Sequence, residues 1–93
     1  MSTSPPYELV LAPPAVRALQ SGLPEPVATA VIEFLTGPLL ENPQRVGKAL
    51  RGELAGIRAA RRGTYRVLYR IDDEADEILV MRIEHRAEVY RPR

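Results

Sequence analysis

The sequence predicts an α+β domain of order β-α-α-β-β-β, with an N-terminal helical hairpin packed on a small, mostly antiparallel sheet. Three observations predict it. Between residues 13 and 39 apolar side chains recur every four positions among prolines, which is a helical period. From Ile57 onward the pattern changes to alternation with a period of two, which is a strand period. Gly63 separates two such alternating runs and is placed to turn a hairpin. A chain of 93 residues suits one domain with an adequate but thin core.

The elements follow in order. "MSTSPP", residues 1–6, lacks the basic and apolar regions of a signal peptide and is expected to be a disordered leader, with a single domain over residues 7–93. "YELVLA" alternates and allows a short strand. Pro13 and Pro14 stop pairing and suit the first turn of a helix. That helix, "PAVRALQSG", carries Val16 and Leu19 on one side and closes at Gly22. A second helix has Pro24 and Pro26 near its start, and Val27, Val31, Leu35 and Leu39 form its stripe, widened by Ile32 and Phe34. Gly37 and Pro38 end or distort it. "ENPQRVGKALRGELAG", residues 41–56, sustains no period and is expected to be loop. "IRAARRG" and "TYRVLYRID" form the hairpin. Tyr65, Val67, Tyr69 and Ile71 take one face of its second strand, and Arg66, Leu68 and Arg70 the other. The acidic turn "DDEADE" leads to "ILVMRIEHR", in which Leu79, Met81 and Ile83 are expected on one face and Arg82 and Glu84 on the other.

Charge is segregated along the chain although the net is only +1. Residues 1–44 hold one base and four acids, a net of −3, and residues 71–93 hold four bases and seven acids, again −3. Between them Arg45, Lys48, Arg51, Arg58, Arg61, Arg62, Arg66 and Arg70 face Glu53 alone, a net of +7. Such a block sets up a local field that selects anionic partners, nucleic acid or acidic protein, over a merely solvated face. Seven of its eight bases are arginine, the residue that forks onto phosphate oxygens. Arg66 and Arg70 are expected on the open face of a central strand, with Arg58 or Arg62 on its neighbour.

Several chemistries are excluded. There is no cysteine, hence no disulfide and no cysteine-held metal, which suits a reducing cytoplasm. No apolar run is long enough to span a membrane as a helix. Phosphate-binding glycine loops and serine nucleophile elbows are absent, and the acidic turn lacks the spaced ligands of a calcium loop, so neither metal nor cofactor is expected. His85, the single histidine, belongs to a residue type that titrates near neutrality and serves as a general acid or base. It and Glu84, as strand neighbours, point to opposite faces. Tyr90 in "EVYR" is either a core plug or a stacking platform for a base.

"KALRGELAGIRAARRGTYRVLYRID" followed by "HRAEVY" resembles the RelE/ParE superfamily of bacterial type II toxin–antitoxin toxins, and is most similar to its RelE branch. The resemblance runs from about Tyr7 to Arg91. It implies the RelE-like fold and a ribosome-dependent, metal-independent mRNA endonuclease, an mRNA interferase, in which the ribose 2′-OH attacks the adjacent phosphate of the codon in the A site. Carried over, Arg66 binds the phosphate, Arg86 binds phosphate or assists the leaving group beside His85, and Tyr90 stacks on a base and positions the nucleophile. Lys48, Arg51, Arg58, Arg61, Arg62 and Arg70 bind the RNA backbone. Two departures stand out. Where the RelE branch often has two lysines, one of them its proposed base, this chain has Arg58 and Ala60. Arginine is a poor proton acceptor, which leaves the base unassigned, with Arg61 restoring part of the charge and Glu84 and His85 as substitutes. The spacing from Arg86 to Tyr90 is also shorter than in some members. The implied partners are a cognate RelB-like antitoxin with an acidic helical segment and ribosome-bound mRNA, in the cytoplasm. A ParE-like DNA gyrase inhibitor and a catalytically inactive antitoxin-binding member are the alternatives.

Overall fold

The computed structural model describes residues 7–85. Arg86 and Tyr90, two of the expected site residues, lie outside them. The chain forms β1 (Glu8–Leu11), α1 (Pro13–Arg17), α2 (Glu25–Thr36), α3 (Pro38–Glu41), α4 (Pro43–Val46), β2 (Lys48–Ala49), β3 (Arg58–Arg62), β4 (Tyr65–Asp72) and β5 (Glu77–His85). One five-stranded sheet results, in the order β1-β5-β4-β3-β2. β1 runs parallel to β5, and every other neighbour is antiparallel.

The helical period translates directly into packing. Pro13 and Pro14 open α1, which continues as a π turn over Ala18–Gly22 and stops at Gly22. In α2, Val31, Phe34 and Leu35 turn toward the sheet, while Gly37 ends the helix and Pro38 opens the separate turn α3, which buries Leu39 and Leu40. These side chains meet Ala60, Tyr65, Val67, Tyr69, Ile78, Val80 and Ile83 in one core between the helices and one face of the sheet. Ile32, expected in the stripe, is instead 47% exposed. It sits about 100° around the helix from Val31, beyond the arc that faces the sheet.

Two expectations need correction. Residues 41–56 are not loop throughout: they contain α4, the edge strand β2 and a 3₁₀ turn over Gly52–Leu54. Elements of two to four residues are too short to impose a period. What holds them is tertiary. The Tyr69 hydroxyl, from the core, donates to the Pro43 carbonyl at 2.5 Å, and Gly47 lets the backbone pass against that same hydroxyl, where a Cβ would collide.

The second correction concerns β5. Leu68 pairs with Arg82 but Tyr69 pairs with Val80, so Met81 is an extra residue, a β-bulge. The inward residues are therefore Ile78, Val80 and Ile83, not Leu79, Met81 and Ile83. Arg82 and Glu84 do share a face, as expected.

Candidate active site

Inward Tyr65, Val67 and Tyr69 force the intervening residues of β4 outward, so Arg66, Leu68 and Arg70 emerge on the face that the helices leave open. Register then surrounds Arg66. Arg61 of β3 stands opposite it on one side and Glu84 of β5 on the other. Arg66 donates through Nε to Glu84 Oε1 at 3.0 Å and through a terminal nitrogen to the same oxygen. The second carboxylate oxygen, Oε2, lies 3.6 Å from Arg82 Nε. One carboxylate thus holds two guanidinium groups. Arg82 was not singled out from the sequence; the signal available was its parity with Glu84.

These residues line one wall of a cleft of about 860 Å³ at the end of the sheet, where the Gly63–Thr64 turn and the end of β5 meet Arg17 and the π turn. His85 lines the cleft as well, with Nε2 3.1 Å from Thr64 Oγ1. Among the described residues the cleft is lined by Arg17, Arg61, Arg66 and Arg82, by one acid, Glu84, and by His85, which pairs with Tyr65 and so leaves the strand on the face opposite to Glu84. Its cations suit an extended polyanion. Among the described residues no three His, Cys, Asp or Glu side chains gather as a metal site.

Other expected site residues go elsewhere. Arg58 and Arg62 pair with Tyr69 and Tyr65 and therefore stand on the helix side of the sheet, not on the open face. Arg58 donates to the carbonyls of Gln44 at 2.6 Å and Gly47 at 3.1 Å, bracing α4 and the loop after it against β3. Its Nε is buried without a partner. The Arg62 guanidinium lies over the Phe34 ring, 4.9 Å from its centroid, in a cation–π contact. Both perturb tyrosines: burial raises the pKa of Tyr69 against the opposing pull of Arg58, and burial raises that of Tyr65 against Arg62. Arg70 lies exposed opposite Leu79, farther from the cleft. Lys48 is exposed on β2, and Arg51 is exposed just before the 3₁₀ turn.

Residues 15–90 match the model of a family described as the ParE toxin of the type II toxin–antitoxin system parDE. The chain belongs to the RelE/ParE toxins of type II toxin–antitoxin systems. It is 51% identical over 86 residues to toxin RelG of Mycobacterium tuberculosis, covering 92% of this chain and 98% of that one. To toxin RelE of the same organism it is 47% identical over 91 residues, or 98% and 93% of the two chains. It superimposes on the toxin–antitoxin complex RelBE2 of M. tuberculosis with a TM-score of 0.84 at 51% identity, over 88% of this chain and 93% of that one. The α+β, RelE-like fold expected from the sequence is the fold observed.

Proposed function

We propose that this toxin is a ribosome-dependent, metal-independent mRNA endonuclease. The observation that carries the reading is the position of Arg66, fixed on a central strand and flanked by Arg61 and Arg82 in an open cleft. In the proposed reaction a base removes the 2′-OH proton, the O2′–P bond forms and the P–O5′ bond breaks. The products are a 2′,3′-cyclic phosphate and a 5′-OH, and no water is consumed. Negative charge builds on the phosphorane oxygens, where Arg66 stabilises it in a geometry set before the reaction begins. His85, which lines the same cleft from the strand end opposite Tyr65, exchanges the proton in this reading. Arg86 and Tyr90, the next site residues along the chain, take the second phosphate contact and the stacking of a base.

The M. tuberculosis RelBE2 structure is a toxin–antitoxin complex, and by the same reading a RelB-like antitoxin with an acidic segment masks the basic face of this toxin. Among the described residues no helix is long and apolar enough to cross a membrane. Ribosomes as the site of action place the toxin in the cytoplasm.

The test is a primer-extension map of a reporter mRNA after brief induction, with and without a block to translation. Cuts within codons that disappear when translation is blocked are expected. Arg66→Ala should lower cleavage by about 10²-fold, the usual effect of removing one preorganised donor. An Arg66→Ala toxin that cuts as well as the wild type overturns the site. One observation favours a second reading: the matching family model is that of parDE toxins. Intact mRNA with loss of DNA supercoiling by gyrase would identify that activity, and neither effect would identify an inactive antitoxin-binding member.

A further inference from the structure

Among the described residues Glu84 is the one acid lining the cleft, and it sits between the guanidinium groups of Arg66 and Arg82. Its Oε1 accepts two hydrogen bonds from Arg66, and its Oε2 faces Arg82 Nε at 3.6 Å. A carboxylate between two guanidinium groups carries the single negative charge that a phosphodiester would bring to the same position. We infer that Arg66 and Arg82 form a two-arginine phosphate subsite that Glu84 occupies in the free toxin, so that an RNA phosphate enters by displacing the Glu84 side chain. The inference rests on the nuclease reading for the identity of the anion; it adds Arg82 to the site as a phosphate ligand and gives Glu84, named from the sequence as a substitute base, the role of internal competitor.

The surroundings fit displacement rather than a permanent structural pair. The side chains of Arg66 and Glu84 are 43% and 37% exposed, and that of Arg82 is 66% exposed. Pairs this wet are weak and exchange readily. Among the described residues only Arg66 donates a hydrogen bond to the Glu84 side chain, with Arg82 as its ion-pair neighbour, so its departure leaves no buried group unpaired. Arg61 and Arg66 are like charges directly opposite each other on adjacent strands, so a negative charge is needed there, and a phosphate taking the place of Glu84 supplies it with more oxygens than the carboxylate has. In the free toxin Glu84 keeps the guanidinium groups of Arg66 and Arg82 gathered, at the expense of affinity for RNA.

The experiment is fluorescence anisotropy of a 5′-labelled ten-nucleotide single-stranded RNA with wild type, Glu84→Gln, Arg82→Ala and the double variant, at several salt concentrations. Glutamine keeps the size of the side chain and removes its charge. Glu84→Gln should tighten binding about fivefold, the scale of one exposed ion pair released, and Arg82→Ala in that background should abolish most of the gain. Thermal unfolding of each variant within a few degrees of the wild type confirms that the fold is kept. Equal or weaker binding by Glu84→Gln overturns the inference, and so does a gain that survives Arg82→Ala. Primer extension on the same variants separates the two readings: tighter RNA binding without cleavage by any variant leaves the subsite standing and removes the nuclease. Cleavage without the Glu84→Gln gain does the reverse.

Discussion

Replacing Arg58 with methionine separates the fold from the function, because the basic block suggests an RNA ligand at this position and the structure puts a brace there. Methionine keeps the apolar stem and removes the guanidinium. The bond to Gly47 O, at 3.1 Å and partly buried, comes from a charged donor and is worth about 1.5–3 kcal/mol. The bond to Gln44 O is exposed, where water replaces the donor, and contributes little. Against this, the wild type buries Arg58 Nε without a partner, which costs about 1 kcal/mol that the variant recovers. The net is a loss of about 0.5–2 kcal/mol. At 4–8 °C per kcal/mol for a domain of this size, Tm falls by roughly 2–16 °C. Thermal unfolding followed by circular dichroism measures the fall, and RNA anisotropy on the folded protein should show affinity nearly unchanged. A variant as stable as wild type that loses RNA affinity as Arg66→Ala does would refute the placement of Arg58 on the helix side.

Three further predictions concern Tyr69 and the segment it anchors. Tyr69→Phe leaves the Pro43 carbonyl without its donor and should cost about 1–3 kcal/mol in urea unfolding with little change in RNA binding; an unchanged urea midpoint would count against the anchor. The raised pKa values of Tyr65 and Tyr69 also make stability fall at alkaline pH. Above pH 10 the unfolded chain releases these phenolic protons first and so binds fewer than the native state. The stability is therefore complete below pH 10 and is lost as the pH rises through the folded values. Urea midpoints between pH 8 and 11 should be flat and then drop, with a smaller drop in Tyr69→Phe. Gly47→Ala drives a Cβ into the Tyr69 hydroxyl and to 2.9 Å from the Ala59 carbonyl, and should destabilise by about 1–3 kcal/mol. Adding Tyr69→Phe should restore only part of that stability, since the backbone contact remains, and full rescue would be inconsistent with it.

What the sequence disclosed depended on the length over which a pattern could run. α2, β4 and the Gly63 hairpin span enough residues for a period to appear, and each forms over the residues that carry it, save that Leu39 of the α2 stripe falls in α3. α4 and β2 owe their shape to Tyr69, Gly47 and Arg58, residues up to 26 positions away in the chain, so no local pattern announces them. The arginines show the same division. That Arg66 and Arg70 face outward follows from the parity of β4, but nothing local distinguishes Arg61 from its neighbour Arg62. Only pairing with β4 turns Arg61 to the open face and Arg62 onto Phe34. The composition of residues 45–70 overstated the membership of the basic open face, because two of its eight bases, Arg58 and Arg62, turn to the helix side of the sheet.

The bulge at Met81 connects these points to the candidate site. β5 begins with Ile78 and Val80 turned inward, and strict alternation from there would carry Arg82 and Glu84 beneath the helices. A charged pair in that position would have to be desolvated, and Ile83 would be left in water. One extra residue resets the parity: Ile83 enters the core opposite Val67, while Arg82 and Glu84 come out beside Arg66. Bulges re-aim side chains in this way at sheet edges and next to active sites. Here the backbone irregularity is what allows one strand to supply three core residues at the same time as two charged residues of the cleft. Without the extra residue at Met81, β5 could not keep Ile78, Val80 and Ile83 all in the core while turning Arg82 and Glu84 out to the cleft.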